Sequence, residues 1–349
     1  MFSTKKSSSV VGLDVEAGSI AATEVTLNGS AVVARTAIGS LPPGTVDDGE
    51  VVDAEALSTA LRNLFSENKL NKVVRLGIAN QRVAVRTIRL PDIEDAEELD
   101  TAVRFKAQDE LPMPLDEAVL DWQVVGRFTG EDGERLVEVV AVAARRDMLE
   151  SLTEALRGAG LRPAGIDLSA FAMIRALVGE TEDPSGTVLY CHLGDVTNLA
   201  VARGDACLFT RVSPFGTEAI AGKLAERRQI PLDDARRAVI LVGLEGEGSS
   251  GDSELDGAAR EAVADSAGKL VAELRLSLEF YASQEGVSEV ERLGFCGPGS
   301  TIPGLSDHLE DALGYPVDEL RPRALEGLED HEAARLTVSY GLALEEASS

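Results

Sequence analysis

The sequence predicts an α/β protein made of a duplicated two-domain unit, with a small αβ module inserted in the first domain. Three observations predict it. A strand–loop–strand hairpin is written twice, first from Gly12-Leu-Asp14-Val-Glu16-Ala-Gly18-Ser19 to Gly39, then from Tyr190-Cys-His192-Leu-Gly194-Asp195-Val-Thr197 to Gly216. Asp14 and His192 correspond, as do Arg35 and Arg211, at a nearly constant offset. A third strand enters a Gly-rich turn at Leu293-Gly-Phe-Cys296-Gly297-Pro298-Gly299-Ser300. Backbone N–H groups in such loops can cradle phosphates, so a duplicated pair suggests a ligand held between two halves.

The elements follow in order. The first hairpin alternates through Ile20 to Leu27, turns at Asn28-Gly29 and returns from Ala31. Leu41-Pro-Pro-Gly44 is a loop, Val46 to Val52 an acidic connection, and Asp53 caps a helix with Leu57, Leu61, Leu64 and Phe65 on one face. Val73 to Ile78 and Val83 to Leu90 read as paired strands. A helix opened near Asp95 carries Leu99, Ala102, Val103 and Ala107, and Leu111-Pro112-Met113-Pro114 stops it. Trp122 to Phe128 and Leu136 to Ala143 form a hairpin around Thr129–Gly133, and Asp147 with Glu150 caps a helix that ends at Gly158 and Gly160. Leu168 to Val178 is a helix and Thr181 to Gly186 a linker. After the second hairpin, which turns at Arg203-Gly204-Asp205, Thr217 caps a helix and another begins near Pro231. Glu245 to Glu254 is a Gly/Ser/acid-rich loop. Val263, Ala267, Leu270, Leu274, Leu278 and Tyr281 then mark a long helix packed on a core. Pro303 starts the next helix, and the last one runs through Leu336, Val338 and Leu342.

Composition narrows the function. With 33 basic and 60 acidic residues the formal net charge is −27, which repels nucleic acid and anionic lipid. No apolar stretch approaches the roughly 20 residues of a membrane span, and the leader Met1-Phe-Ser-Thr-Lys5-Lys6 lacks a signal-peptide apolar core. Cys191, Cys207 and Cys296 are scattered in apolar strands and read as buried thiols of a reducing compartment. His192, His308 and His331 have no metal-ligand spacing, and a lone His192 on an apolar strand reads as structural.

The three Gly-containing turns, in this order, resemble the actin-like ATPase superfamily, where two phosphate loops face each other and a third turn holds adenosine. The chain is further similar to the PilM family of type IV pilus assembly, which is FtsA-related. The resemblance rests on the leader Met1–Ser7, Gly49-Glu-Val-Val-Asp53, Val103-Arg104-Phe105-Lys106, Leu111-Pro112-Met113-Pro114-Leu115, Leu120-Asp121-Trp122-Gln123-Val124, Gly165-Ile166-Asp167 and Ile302-Pro303-Gly304-Leu305. It spans residue 1 to about residue 343. It implies an actin-like, ribonuclease H-like two-domain fold with an SHS2-type insert. The first subdomain is then 1–72 with 166–184, the insert 73–165, the second domain 185–343 with a helical part near 217–290, and 344–349 a tail.

The resemblance also implies a nucleotide site. If ATP with Mg is bound, its holders are Asp14, Gly18, Ser19, Gly194, Asp195, Thr197, Gly216, Lys223, Gly297, Gly299 and Ser300, with Asp14 toward the metal. The loops depart from the family pattern. Glu16 replaces a Gly, Ala21 a Lys, and His192 an Asp, while Ser169 stands where relatives place an acid. A carboxylate facing a phosphate repels it, and His is a poor magnesium ligand. Two readings stand: nucleotide is retained through Asp14, Gly194, Asp195 and the third turn, or the cleft is a degenerate site on a scaffold.

For function, the resemblance implies a cytoplasmic scaffold, peripheral to the inner face of the cytoplasmic membrane, binding the N-terminal tail of a PilN-like membrane protein in the pilus assembly platform. Candidate groove residues are Arg104, Phe105, Leu111, Met113 and Trp122. The alternative is a nucleotide-binding ATPase switch whose ATP state gates assembly. A small-molecule kinase lacks the needed carboxylates. An FtsA-like membrane anchor is disfavoured by the acidic end Leu344-Glu-Glu-Ala-Ser-Ser349, and no direct membrane insertion is expected.

Overall fold

In the computed structural model, the described residues are 8–27, 30–130, 132–181, 183, 185–245, 248–284 and 287–344. The leader, the Asn28-Gly29 turn, the tail from Glu345 and parts of the loops near 131, 182–184 and 246–247 lie outside them. The chain divides into two compact units, Met1–Ala79 with Ala155–Ser349, and Asn80–Glu154.

The larger unit starts with β1 (Ser8–Val15), β2 (Ser19–Leu27) and β3 (Ala31–Ser40), followed by a small hairpin of β4 (Val46–Asp47) and β5 (Glu50–Val51). Helix α1 (Ala54–Glu67) is capped by Asp53, whose carboxylate accepts from the Ala56 amide at 2.9 Å. Strand β6 (Val73–Ile78) closes this stretch. It does not pair with Val83–Pro91, as adjacency in sequence suggested; it lies parallel to β1 inside the first sheet. β6 is almost wholly buried, so it needs a covered position on both faces.

The smaller unit is a three-stranded antiparallel sheet in the order β7–β9–β8, formed by β7 (Val83–Pro91), β8 (Ala118–Thr129) and β9 (Arg135–Arg145), with α2 (Ala96–Glu110) across it. Asp95 caps α2 through the Glu97 and Glu98 amides, both at 3.0 Å. Leu99, Val103 and Ala107 of α2 pack on Ile88, Val137, Val139 and Ala141. Helix α3 (Arg146–Gly158) leads out of this unit. Asp147 is not its cap: it lies inside the first turn and takes Arg145, which holds its carboxyl down at about 2.

The chain then returns to the first sheet through β10 (Arg162–Leu168) and α4 (Ser169–Leu177). The second half repeats the pattern with β11 (Thr187–Leu193), β12 (Thr197–Arg203) and β13 (Ala206–Ser213), then α5 (Thr217–Arg228), α6 (Leu232–Val242) and α7 (Ser253–Ala282), whose 30 residues form the expected long helix. β14 (Arg292–Cys296), α8 (Leu305–Leu313), β15 (Val317–Glu319) and α9 (Asp330–Leu344) complete it. The next helix thus starts at Leu305, after Gly304 in the left-handed region, rather than at Pro303.

The duplication is exact at the level of topology. The first sheet runs β3–β2–β1–β6–β10 and the second β13–β12–β11–β14–β15, with hairpin pairs antiparallel and the last two pairs parallel. Both carry a register shift at matching places, between Glu24 and Val25 and between Val201 and Ala202. Helices α4 and α9 share one core with both sheets, joining Ala21 and Val25 to Val188, Tyr190 and Ala200. Their approach is close because Gly341 lacks a side chain: a Cβ there would meet the Ala172 carbonyl oxygen at 1.9 Å. Helices α5–α8 cover the other face of the second sheet.

Candidate functional site

The two duplicated loops face each other within the larger unit, and each fills the other. The Gly18 amide donates to Asp195 Oδ2 at 2.9 Å. In return the Asp195 amide donates to the Glu16 carboxyl group. A side chain on Gly194 is excluded because Glu16 Oε1 sits 2.0 Å from where its Cβ would stand, with His192 Cε1 at 2.9 Å. Amides of the kind that cradle phosphates are here satisfied by the chain's own carboxyl groups.

A buried cation completes the arrangement. Arg335 of α9 is 5% exposed and Asp14 6%. The Arg335 guanidinium is ion-paired through Nη1 with Asp14 Oδ2. Its Nε donates to Ser19 Oγ at 2.8 Å and lies 3.3 Å from Glu16 Oε2, while Nη2 reaches the Ser19 and Asp14 carbonyl oxygens at 3.1 and 3.3 Å. A guanidinium has five N–H donors in a rigid fork, which suits this convergence of oxygens. Close by, Arg236 is ion-paired with Glu218 and Asp233, and its Nη2 lies 2.7 Å from where a Gly18 Cβ would stand.

Burial controls the electrostatics. It pushes Glu16 up to about 8 against the pull of Arg335, with Asp195 and Asp14 adding to the rise. Burial also raises Asp195, against the Gly18 amide. His192 is pushed down to about 4 by burial, so its ring is neutral near pH 7, and its Nε2 has no hydrogen-bond partner. The ring packs on the third turn, where a Cβ on Gly297 would lie 2.8 Å from His192 Nε2. This is a structural histidine.

The other residues singled out from the sequence separate. Thr197 Oγ1 donates to the Phe215 carbonyl at 2.6 Å, so its hydroxyl is spent on the loop. Gly216 provides close approach, since a Cβ would stand 2.1 Å from the Asp195 carbonyl oxygen. Thr217 caps nothing; its hydroxyl donates to the Gly194 carbonyl at 3.1 Å. Lys223 is exposed on α5 beside Lys269, which lowers its pKa, and it does not line the cleft. Gly299 packs on Leu193, and the buried Ser300 hydroxyl donates to the Gly297 carbonyl at 2.8 Å. Ser169 Oγ is buried without a partner, against Gly77. The charged loops themselves line a cavity of about 800 Å³, with Gly18, Ser19, Asp195 and Arg335 on one side and Val239 and Pro303 among its apolar walls.

The polar groups of the facing loops are largely engaged with one another. The Gly18 amide is held by Asp195, Asp14 is paired with Arg335, and among the described residues no group of three or more His, Cys, Asp or Glu side chains could hold a metal ion. Sequence reasoning missed Arg335 and Arg236, two arginines that line the cleft. The available signal was a lone Arg among Ala333, Ala334 and Leu336, because a buried guanidinium demands carboxylate partners.

In the smaller unit, Trp122 Nε1 donates to Asp100 Oδ1 at 2.8 Å and Arg104 Nε to Asp100 Oδ2 at 2.7 Å, so these two groove candidates meet through a shared carboxylate. Both bonds hold the Asp100 carboxyl below the usual range, Arg104 first. Leu111 is core, and Met113 is half-buried against that core. Phe105 is 70% exposed and stands apart, two positions past the buried Val103 and hence on the opposite side of α2.

Comparison with known proteins places this geometry. The chain resembles a solved PilM–PilN type IV pilus biogenesis complex at 27% identity, over 96% of this chain and 97% of that one, with a TM-score of 0.81. It shares a fold with ethanolamine utilization protein EutJ from Carboxydothermus hydrogenoformans (15% identity, 97% and 89% coverage, TM-score 0.55). The same holds for MreB5 of Spiroplasma citri bound to ADP (14%, 95% and 94%, TM-score 0.55). The duplicated α/β fold is therefore actin-like, as its loops implied. Among the described residues no helix is long and apolar enough to cross a membrane. The family model for type IV pilus assembly protein PilM matches residues 12–346, and the chain belongs to that family.

Proposed function

We propose that this protein is a scaffold of the type IV pilus inner-membrane assembly platform, docking the N-terminal cytoplasmic tail of a PilN-like membrane protein, and that it works without nucleotide. The observation that carries the docking role is the match, along nearly the whole of both chains, to the PilM–PilN complex. The smaller unit supplies suitable chemistry. Its edge strand β8 carries the half-buried Leu120, Trp122 and Val124 on its α2-facing side and the exposed Val119 and Val125 on the other. An extended tail recognised through such an edge gains main-chain hydrogen bonds, with side-chain pockets for specificity. Arg104, tied to Trp122 through Asp100, marks the charged end of this surface.

The nucleotide-independent part is supported by the filled loops and the paired Asp14. A reading in which ATP gates assembly requires Arg335 and Glu16 to leave their partners first.

Fluorescence anisotropy with a labelled peptide of the PilN-like tail tests the docking role. The wild type is expected to bind, and Arg104→Glu to lose at least about tenfold in affinity, the loss of a charge-assisted contact, with the far-ultraviolet circular dichroism spectrum unchanged. Failure of the wild type to bind the tail would overturn the docking role.

A further inference from the structure

The two halves of an actin-like unit meet at loops whose amides need acceptors and whose acids need a cation. Here the Gly18 and Asp195 amides and the carboxyl groups of Asp14 and Glu16 find partners within the chain. Arg335 reaches from α9 to Asp14, Ser19 and Glu16 in the first loop. Glu16 accepts from the Asp195 amide in the second loop, and the Asp195 carboxyl accepts from the Gly18 amide back in the first. The connections form a closed circuit: helix to first loop, first loop to second, second loop to first. The second loop is itself tied to α5, because Thr217 at the start of that helix donates both its amide, at 2.8 Å, and its hydroxyl to the Gly194 carbonyl.

We propose that the cleft is a self-liganded joint, in which Arg335 and the carboxyl groups of Glu16 and Asp195 hold the two loops together and thereby close the larger unit with neither nucleotide nor metal. Arg335 supplies the positive charge there, and the two carboxyl groups take the acceptor positions. The chemistry follows from donor counting. Each amide has one hydrogen to give, so the Gly18 and Asp195 amides could donate to a phosphate oxygen only by releasing the Asp195 and Glu16 carboxyl groups they now hold. Replacing that pair requires breaking several bonds at once, so the joint is closed as a unit. This deepens the scaffold reading by naming what takes the place of a ligand.

The circuit predicts a crossed pattern that a merely structural role for these residues would not produce. Amide-resolved hydrogen exchange on the full chain reads it. In the wild type, the Gly18 and Asp195 amides are expected to be protected and indifferent to added Mg-ATP. Asp195→Ala should speed exchange at Gly18 at least tenfold, and Glu16→Ala should do the same at Asp195, each variant unmasking an amide in the facing loop. Glu16→Gln, which keeps an acceptor oxygen, should restore protection. Amides of α7 and of β9 serve as fold controls. If an alanine variant fails to fold, the wild-type protection and the Glu16→Gln result still decide. Wild-type exchange at Gly18 and Asp195 as fast as in exposed loops, or alanine variants without the crossed pattern, would overturn the joint. Added protection from Mg-ATP would also overturn it. Loss of tail binding in the anisotropy assay would instead overturn the docking role and leave the joint standing.

Discussion

Replacing Arg335 by Met tests the buried cation most severely. Methionine keeps an unbranched stem of similar length, so the stem's packing is largely preserved and the charge is what is lost. The structure sets the magnitude. Arg335 and Asp14 are 5% and 6% exposed, so the variant strands a carboxylate where water does not reach it, and also removes the Arg335 donor from the Ser19 hydroxyl. Removing one member of a buried ion pair costs about 3–5 kcal/mol, mostly as desolvation of the survivor. In a unit of this size that corresponds to a fall of roughly 6–10 °C in thermal midpoint. The assay is far-ultraviolet circular dichroism on heating, which the helices of the larger unit dominate. Emission from Trp122, the only tryptophan, follows the smaller unit separately. Adding Asp14→Asn to Arg335→Met should recover much of the loss, because the stranded charge is removed with its partner. A midpoint for Arg335→Met within about 1 °C of wild type would refute the reasoning, since 1 kcal/mol alone shifts a large domain by about 2 °C.

Two further outcomes follow from local geometry. Asp100 is held low by Arg104 and Trp122, so its contribution is complete above the ordinary aspartate range and is lost only as pH falls through its depressed value. Trp122 emission should therefore stay constant down to the ordinary aspartate range and change below it, and a transition already complete near pH 5 would contradict this. Gly341→Val places a Cβ against the Ala172 carbonyl oxygen at the α4–α9 crossing and should destabilise by about 1–3 kcal/mol or more through overpacking. Urea unfolding reads it, and an unchanged midpoint would mean that the helices separate without cost.

Much of the fold was legible because it is written locally. Asp53 before Leu57 and Leu61 announces α1, and the spacing from Val263 to Tyr281 announces α7. The duplicated hairpins show in their loops, although the matching register shifts at Glu24 and Val201 do not, since a bulge depends on its partner strand. Pairing across long separations is not legible locally. Adjacency in sequence matches Val73–Ile78 to Val83–Leu90, while its partners in the fold, β1 and β10, are distant. β10 carries Pro163 and Gly165, a composition that gives no strand signal of its own.

The site was legible in part. Glu16 and His192 signal that the loops depart from the phosphate-binding pattern, because a carboxylate there repels a phosphate whatever the fold. What occupies the space instead was not legible. Arg335 lies in a helix whose pattern fits an ordinary packed face, and only the fold brings it to Asp14. The groove candidates divide for the same reason. Arg104 and Phe105 are adjacent in sequence, yet a helix turns them about 100° apart, so only Arg104 shares a carboxylate with Trp122.

The central claim is that the facing loops are held by the chain's own charges and that docking is independent of nucleotide. One calorimetric experiment tests it: Mg-ATP is titrated into the wild-type protein, and the PilN-like tail peptide is then titrated into the same sample and into one without ATP. The account predicts no heat of binding from Mg-ATP and the same tail affinity in both samples. Micromolar binding of Mg-ATP, with a shift in tail affinity, would contradict it.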